Sequence, residues 1–176
     1  DPGDVQKNQF TLLGKKILVT ICEDIWAWPD SQGRSFHSQN PLEKMKKKFD
    51  LIINLSASPY YFEKDRDRKY MAKKTANHFG CPIAYVNLVG GQDELIFDGG
   101  SFVLGRKNGN LLGQCRFFQE DRLVFDLDLK TSYRLDQSRV ESKKNTQIRS
   151  PSVSKLESLK QALVLGLRDF FEKTHL

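Results

Sequence analysis

The sequence predicts an α/β layered fold with a mixed sheet, and three observations carry that expectation. Over the first hundred residues, three strand-length apolar runs alternate with two stretches of helical character. Alternation of that kind points to parallel strands joined by crossovers. Over the next thirty, shorter strand-like runs separated by turn residues read as a β-meander, so the sheet is mixed. Each of the three long runs also ends in a polar or glycine-rich break, and layered α/β sheets bind ligands beyond their strand ends.

Taken in order, the first fifteen residues read as loop, since Asp1-Pro2-Gly3-Asp4 is turn chemistry and nothing apolar repeats. A strand is predicted from Lys16 to Ile21, then a loop from Ala27 to Asn40 rich in Trp, Pro, Ser, Gln and Gly. Pro41 suits the first turn of a short helix reaching Phe49. Asp50 to Ser56 forms a second buried strand that breaks into Ala57-Ser58-Pro59. Residues Asp65 to Phe79 look helical, with Tyr70, Met71, Thr75 and Phe79 on one face and Gly80 as the stop. A third strand, Pro82 to Leu88, breaks at Gly90-Gly91. Short strands follow at Ser101 to Leu104, Leu111 to Cys115 and Leu123 to Leu127, with a hairpin turn at Lys107-Asn108-Gly109-Asn110. From Tyr133 to Ser152 the chain is polar and aperiodic, a linker. Lys155 to Lys173 is amphipathic, with Leu159, Leu163, Gly166, Leu167 and Phe170 at helical spacing.

The chain's 176 residues and 39% apolar content suffice for one domain with a real core. Three scattered cysteines, without Cys-x-x-Cys or His-x-x-x-His spacing, predict neither a disulfide framework nor a metal site. Reduced thiols and a cytoplasmic setting fit best, and no stretch is long and apolar enough to span a bilayer. The net charge of +6 invites a nucleic-acid reading. The lysines at Lys44 to Lys48 and Lys69 to Lys74 nevertheless lie on predicted helices, where charge runs form solvated faces. Tyr60, Tyr61 and Phe62 precede the second cluster without a recognised nucleic-acid motif, so neither nucleic acid nor membrane is expected as a partner.

The sharpest local feature is Ile17-Leu-Val-Thr-Ile-Cys22-Glu23-Asp24-Ile25-Trp26. A buried cysteine is commonly a small hydrophobe, and Cys81 and Cys115, beside apolar strand-like sequence, take that reading. Cys22 differs, because an acidic pair and a tryptophan directly after a buried strand fill a core poorly and suggest a pocket wall. A strand end holds a nucleophile rigidly while its side chain faces a pocket. Three chemistries remain open for it. A Cys-His dyad would use His37, His78 or His175. A phosphatase-like cysteine would need a phosphate-cradling loop ending in arginine, and Glu23-Asp24 would repel the phosphate. The third is a cysteine served by a glutamate and a lysine, as in amidases of the nitrilase superfamily.

Cys22-Glu23-Asp24-Ile25-Trp26 resembles the nucleophile motif of the nitrilase-like glutaminase domain found in glutamine-dependent NAD(+) synthetases. Asn54-Leu55-Ser56-Ala57-Ser58-Pro59 looks like that family's substrate-pocket loop. The stretch from Tyr85 through Gly90-Gly91-Gln92-Asp93-Glu94 to Gly99 is very similar to its third block, which Ser101 continues. Gln161-Ala-Leu-Val-Leu-Gly-Leu-Arg-Asp169 resembles the helix opening its synthetase domain. Four blocks in the family's order are far more specific than any one of them.

The resemblance implies a nitrilase-like αββα layered sandwich, here only its C-terminal part, with a C-terminal helix. It implies glutaminase residues 1–132, a linker at 133–152 and the start of a truncated synthetase domain at 153–176. By the same resemblance Cys22 is the nucleophile, and the Glu23 backbone N–H is an oxyanion donor. The Glu23 side chain and Ser58 hold the glutamine α-groups, Trp26 walls the pocket, and Lys64 stands near the substrate carboxylate with Arg66 and Arg68 as alternatives. Gln92 and Asp93 shape a domain contact or an ammonia route. The family's catalytic glutamate and lysine precede the match, and its ATP-binding loop follows it. The expected reading is therefore a fragment with no cofactor of its own, ATP and magnesium belonging to the missing synthetase domain. Its partners would be glutamine, the missing N-terminal half and synthetase domain, and further copies in a homo-oligomer. The alternatives are another carbon-nitrogen hydrolase or a non-catalytic interaction fragment. Half of a layered fold should also leave sheet faces that a complementary surface covers.

Overall fold

The computed structural model describes residues 4–30, 32–35, 39–46, 48–106, 109–124 and 154–175. Within them, strands β1 (Gln9–Leu12), β2 (Lys15–Ile21), β3 (Leu51–Ser56) and β4 (Ile83–Asn87) join β7 (Phe102–Leu104) and β8 (Leu111–Gln114) in one sheet. Its order is β1-β2-β3-β4-β7-β8. Strands β2, β3 and β4 run parallel and the outer pairings are antiparallel, so the sheet is mixed as expected. A separate hairpin, β5 (Val89–Gln92) with β6 (Leu95–Asp98), follows β4 directly. Helix α1 (Lys64–Phe79) crosses from β3 to β4 and helix α2 (Lys155–Thr174) lies near the end of the chain.

The β-branched runs make the three parallel strands because buried parallel strands carry apolar residues on both faces. Register brings their ends level: Ile21 pairs with Leu55, and Leu55 with Val86. Consequently Cys22, Ala57 and Leu88 leave the sheet at one edge. Along one face, Leu18, Thr20, Ile52, Asn54, Ile83, Tyr85, Phe102 and Leu104 are all at most 3% exposed. Met71, Ala72, Thr75 and Ala76 of α1 share that core, together with Ile25, Trp28, Leu42 and Met45. The Trp28 indole N–H donates to Thr75 Oγ1 at 2.8 Å, which ties the chain after Cys22 to α1. Gly80, at φ 62°, ends α1 in the left-handed conformation that glycine adopts at little cost.

Several expectations are corrected. The opening residues are not all loop: a 3₁₀ turn at Val5–Lys7 leads into β1, which pairs with β2. The turn between them puts Leu13 and Gly14 both at positive φ, 48° and 72°, and a leucine there is no recognisable turn signal. Residues 41–44 are turns rather than a helix, closed by bonds such as Met45 N–H to Leu42 C=O. Leu42, Met45 and Phe49 are buried at helical spacing, which imitates a helix without its backbone bonds. Lys44, Lys46 and Lys48 therefore do not sit on a helix.

Gly90-Gly91 is no break, since both glycines lie inside β5. Residues 123–124 form no strand, and 125–127, the linker at 133–152, Lys107, Asn108 and His37 lie outside the described residues. Helix α2 buries Ala162, Leu165 and Asp169, whereas Leu159, Leu163, Leu167 and Phe170 are exposed. Of the apolar stripe expected, only Gly166 turns inward. Small size decides this, because a Cβ on Gly91 would stand 3.1 Å from the Gly166 Cα.

Candidate active site

Cys22 is the first residue of a 3₁₀ turn, Cys22–Ile25, that begins where β2 ends. Its φ of 42° is left-handed, an uncommon conformation for a residue with a Cβ. The Asp24 carboxylate accepts the Ile21 N–H at 2.7 Å, and the Trp26 N–H bonds the Glu23 carbonyl at 2.8 Å. The turn thus leaves the thiol partly exposed and Glu23 on the surface, while Ile25 and Trp26 anchor in the core. Asp24 is occupied in holding the turn.

Lys64, the first residue of α1, extends its ammonium over the Trp26 ring, 3.8 Å from the centroid, and over Tyr61 at 4.5 Å. Burial pushes its pKa below the ordinary lysine value of 10.5, Arg68 adds to the fall, and a Cys22 thiolate counters it. Three expected residues, Cys22, Trp26 and Lys64, are therefore together. Tyr61 joins them; its phenol donates to Asp67, and burial with that acceptor raises its pKa to about 12.

The other two basic candidates lie elsewhere. Arg66 faces outward, paired with Glu63 at 3.4 Å and Asp67 at 3.8 Å. Arg68 is 1% exposed. Its Nη1 grips both oxygens of Asp98 at 2.7 and 2.9 Å, its Nε donates to Ser58 Oγ at 3.2 Å, and its Nη2 donates to the Ser58 carbonyl at 2.7 Å. A guanidinium so committed cannot also receive a substrate carboxylate. Ser58, 3% exposed, is held further by its N–H on Asn87 Oδ1 at 3.0 Å. On this geometry Ser58 fixes the loop after β3.

Burial pushes the Asp98 carboxyl up against the opposing pull of Arg68. Asn87 completes the cluster by donating to the Gly99 carbonyl at 3.0 Å. From the sequence Arg68 is expected only as an alternative contact for a substrate carboxylate, and Asn54, Asn87 and Asp98 only as members of motif blocks; the buried network they form is not predicted. The available signal was Arg68 itself, three and seven residues before Met71 and Thr75 on the buried stripe of α1. A charge placed there needs a buried partner.

Gln92 and Asp93 are exposed at the tip of the β5–β6 hairpin, beside α2. Lys173 donates to the Gly91 carbonyl and, at 3.2 Å, to Gln92 Oε1. The Gly91 N–H donates to Asp169 at 2.7 Å. His78 packs against Trp28 and Phe79 late in α1, about 21 Å along the helix from Lys64 at 1.5 Å per residue. That distance removes it from a dyad with Cys22. Among the described residues no group of three or more His, Cys, Asp or Glu could hold a metal ion, and no helix is long and apolar enough to cross a membrane.

No family model matches the chain. Curated relatives do. A glutamine-dependent NAD(+) synthetase from Synechocystis sp. is 39% identical over 169 residues, 96% of this chain and 28% of that protein. One from Thermotoga maritima is 34% identical over 185 residues, covering 90% of the chain and 30% of the relative. Among solved structures, a glutamine-dependent NAD+ synthetase from Acinetobacter baumannii, in complex with adenosine diphosphate, superposes with a TM-score of 0.67 at 36% identity. That match covers 93% of this chain and 27% of the other. A carbon-nitrogen hydrolase from Helicobacter pylori, at TM-score 0.50 and 23% identity over 68% of this chain and 43% of its own, shares the fold. The chain spans less than a third of the length of these synthetases. It is homologous to a segment of the glutamine-dependent NAD(+) synthetases, and over that segment it belongs to their family.

Proposed function

We propose that this chain carries the nucleophile of a glutaminase that supplies ammonia for NAD(+) synthesis. The observation that carries the reading is Cys22, strained at the end of a central parallel strand, beside Trp26 and Lys64, in a chain homologous to those synthetases. The Cys22 thiolate attacks the side-chain amide carbon of glutamine, and the carbonyl oxygen becomes an oxyanion. The Glu23 N–H donates to it. Collapse breaks the C–N bond and forms a γ-glutamyl thioester, with ammonia leaving after taking up a proton. Water then cleaves the thioester to glutamate and restores the thiol. Lys64 offers its charge to the glutamine carboxylate and Trp26 walls the side chain. The Glu23 carboxylate faces the α-amino group. Ser58, anchored by Arg68, keeps one hydroxyl proton for the substrate carboxylate.

The proton-transfer glutamate and the lysine belong, in this reading, to residues outside this chain, as do ATP with magnesium and the amidation of deamido-NAD. A general base contributes roughly 10²–10⁴-fold, so these 176 residues alone should show at most trace activity. The protein is expected in the cytoplasm as a homo-oligomer.

The test is Cys22→Ala in the protein made from the complete reading frame. Glutamine-driven NAD(+) synthesis should fall by at least about a thousandfold while ammonia-driven synthesis persists. Equal rates from glutamine before and after the substitution would reject the reading and leave a non-catalytic interaction role.

A further inference from the structure

We propose that Asn54 and the buried hydroxyl of Tyr85 aim the Glu23 N–H at the oxyanion by holding the carbonyl of Cys22. This rests on the reading of Cys22 as a glutaminase nucleophile. A peptide unit is planar and trans, so the Cys22 carbonyl and the Glu23 N–H point in opposite directions from one rigid plate. Whatever fixes the carbonyl fixes the donor. The left-handed backbone at Cys22 does not hold itself and persists only when its surroundings impose it.

Asn54 is placed to do that. It is fully buried on β3, one strand from Cys22. Its Nδ2 donates to Thr20 Oγ1 at 2.9 Å and reaches toward the Cys22 carbonyl at 3.5 Å. Its Oδ1 accepts the Ser56 hydroxyl at 2.6 Å. The Cys22 carbonyl, and Thr20, whose own proton goes to the Ile53 carbonyl at 3.5 Å, fix which end of the amide faces Cys22, since a flip would set Oδ1 against these acceptors. Ser56 has thereby used its only proton and can serve a further partner only as acceptor.

Tyr85 supplies the matching donor. It pairs with Asn54 across β3 and β4 on the same face, is 1% exposed, and stacks on Phe102 with centroids 4.9 Å apart. Its hydroxyl is buried and makes no hydrogen bond among the described residues. The Ser56 and Ser58 hydroxyls are its polar neighbours, and burial raises the phenol's pKa, which keeps it protonated. A buried hydroxyl without a partner costs folding free energy, whereas phenylalanine would fill the same space at no such cost. A small closing movement completes the sequence Tyr85 O–H to Ser56 Oγ–H to Asn54, whose N–H then tightens on the Cys22 carbonyl. Each bond polarises the next.

The experiment compares Tyr85→Phe and Asn54→Asp with the parent, in the protein from the complete reading frame. It reads glutamine-driven ammonia release, alkylation of Cys22 by iodoacetamide followed by peptide mass, and Tm. Alkylation displaces iodide and forms no oxyanion, so it reports the thiol without the Glu23 donor. The expected result is a kcat lower by about threefold to tenfold in Tyr85→Phe and by more in Asn54→Asp, a partial loss of one oxyanion donor. KM for glutamine and the alkylation rate should stay within about twofold in both. An unchanged kcat in Tyr85→Phe, with or without a higher Tm, overturns the proposal. So does a fall in alkylation that matches the fall in kcat in both variants, because that is general damage to the turn. If protein fully alkylated at Cys22 still hydrolyses glutamine, the glutaminase reading itself has failed, a result distinct from an idle Tyr85.

Discussion

The two faces of the six-stranded sheet differ in what covers them. On one, α1 and the segments after β2 bury Leu18 and Thr20 of β2, Ile52 and Asn54 of β3, and Ile83, Tyr85 and Asn87 of β4, while Ser56 at the site edge is half-buried and Lys16 at the far end is exposed. On the other, past Lys15 at the start of β2, Ile17, Val19 and Ile21 of β2, Leu51, Ile53 and Leu55 of β3, and Ala84 and Val86 of β4 include no polar residue. Yet Ile21 is 58% exposed, Leu55 46% and Val86 45%, and Phe10 of β1 adds 47%. A sheet face that meets water in a finished protein alternates to polar residues. An unbroken apolar face of this extent marks a surface built to be covered. The closed face teaches how the site is held, and the open face has the composition of a surface that is covered rather than wetted.

The contrast breaks most sharply at Arg68, where the closed face meets the site. Arg68→Leu leaves Asp98 2% exposed and without its cation. Removing one partner of such a pair costs about 3–5 kcal/mol. Urea unfolding of the complete protein should show that loss, and the loop bearing Ser58 should loosen with it. A change below about 1 kcal/mol would mean that water reaches Asp98 and that the face is not closed there.

The open face is tested at Val86, on the central row between Leu55 and the sheet's antiparallel half. If the complete protein covers this row, Val86→Asp forfeits about 1.5–3 kcal/mol of apolar burial and adds the penalty of an unpaired charge. If the row meets solvent, the substitution stays within about 0.5 kcal/mol. In the 176-residue chain alone it should do the opposite of harm and reduce self-association, which sedimentation at increasing concentration measures.

Much of this was legible in the residues, and what escaped did so for physical reasons. The strand ends at Cys22, Ser56 and Asn87 follow from β-branched runs that stop at polar residues. The parallel arrangement follows from the helix between two of them. The Arg68–Asp98 pair spans thirty residues of sequence, and no local spacing encodes a contact that the fold alone creates. Ser58 was expected at the substrate from its motif alone, and its three bonds to Arg68 and Asn87, which hold the loop after β3, were not foreseen. The turn at Leu13-Gly14 hid because leucine seldom takes positive φ. The false helix at Pro41 arose because three buried anchors can share a helix's spacing without its hydrogen bonds. In α2 the larger apolar stripe faces outward, while the face that docks is set by Gly166, Ala162 and one carboxylate.

Helix α2 repeats the sheet's contrast on a smaller scale, with one face held and one apolar face open. Asp169 decides how firmly the held face stays. Its carboxylate accepts the Gly91 N–H at 2.7 Å with Arg168 beside it at 2.9 Å. Partial burial raises its pKa, but the Gly91 N–H, Arg168 and Lys173 outweigh that and hold the carboxyl below its usual 3.8. In the unfolded chain the group takes up its proton first as pH falls. The contact's contribution is therefore complete above pH 3.8 and is lost as pH drops through the lower folded value. Asp169→Asn should remove about 1 kcal/mol of stability at neutral pH and flatten the unfolding profile of α2 below pH 4. Amide hydrogen exchange at Gly91 reads this directly, with faster exchange expected in the variant. Unchanged protection at Gly91 would mean that the helix is held from its open side, by the surface that covers Leu163 and Leu167.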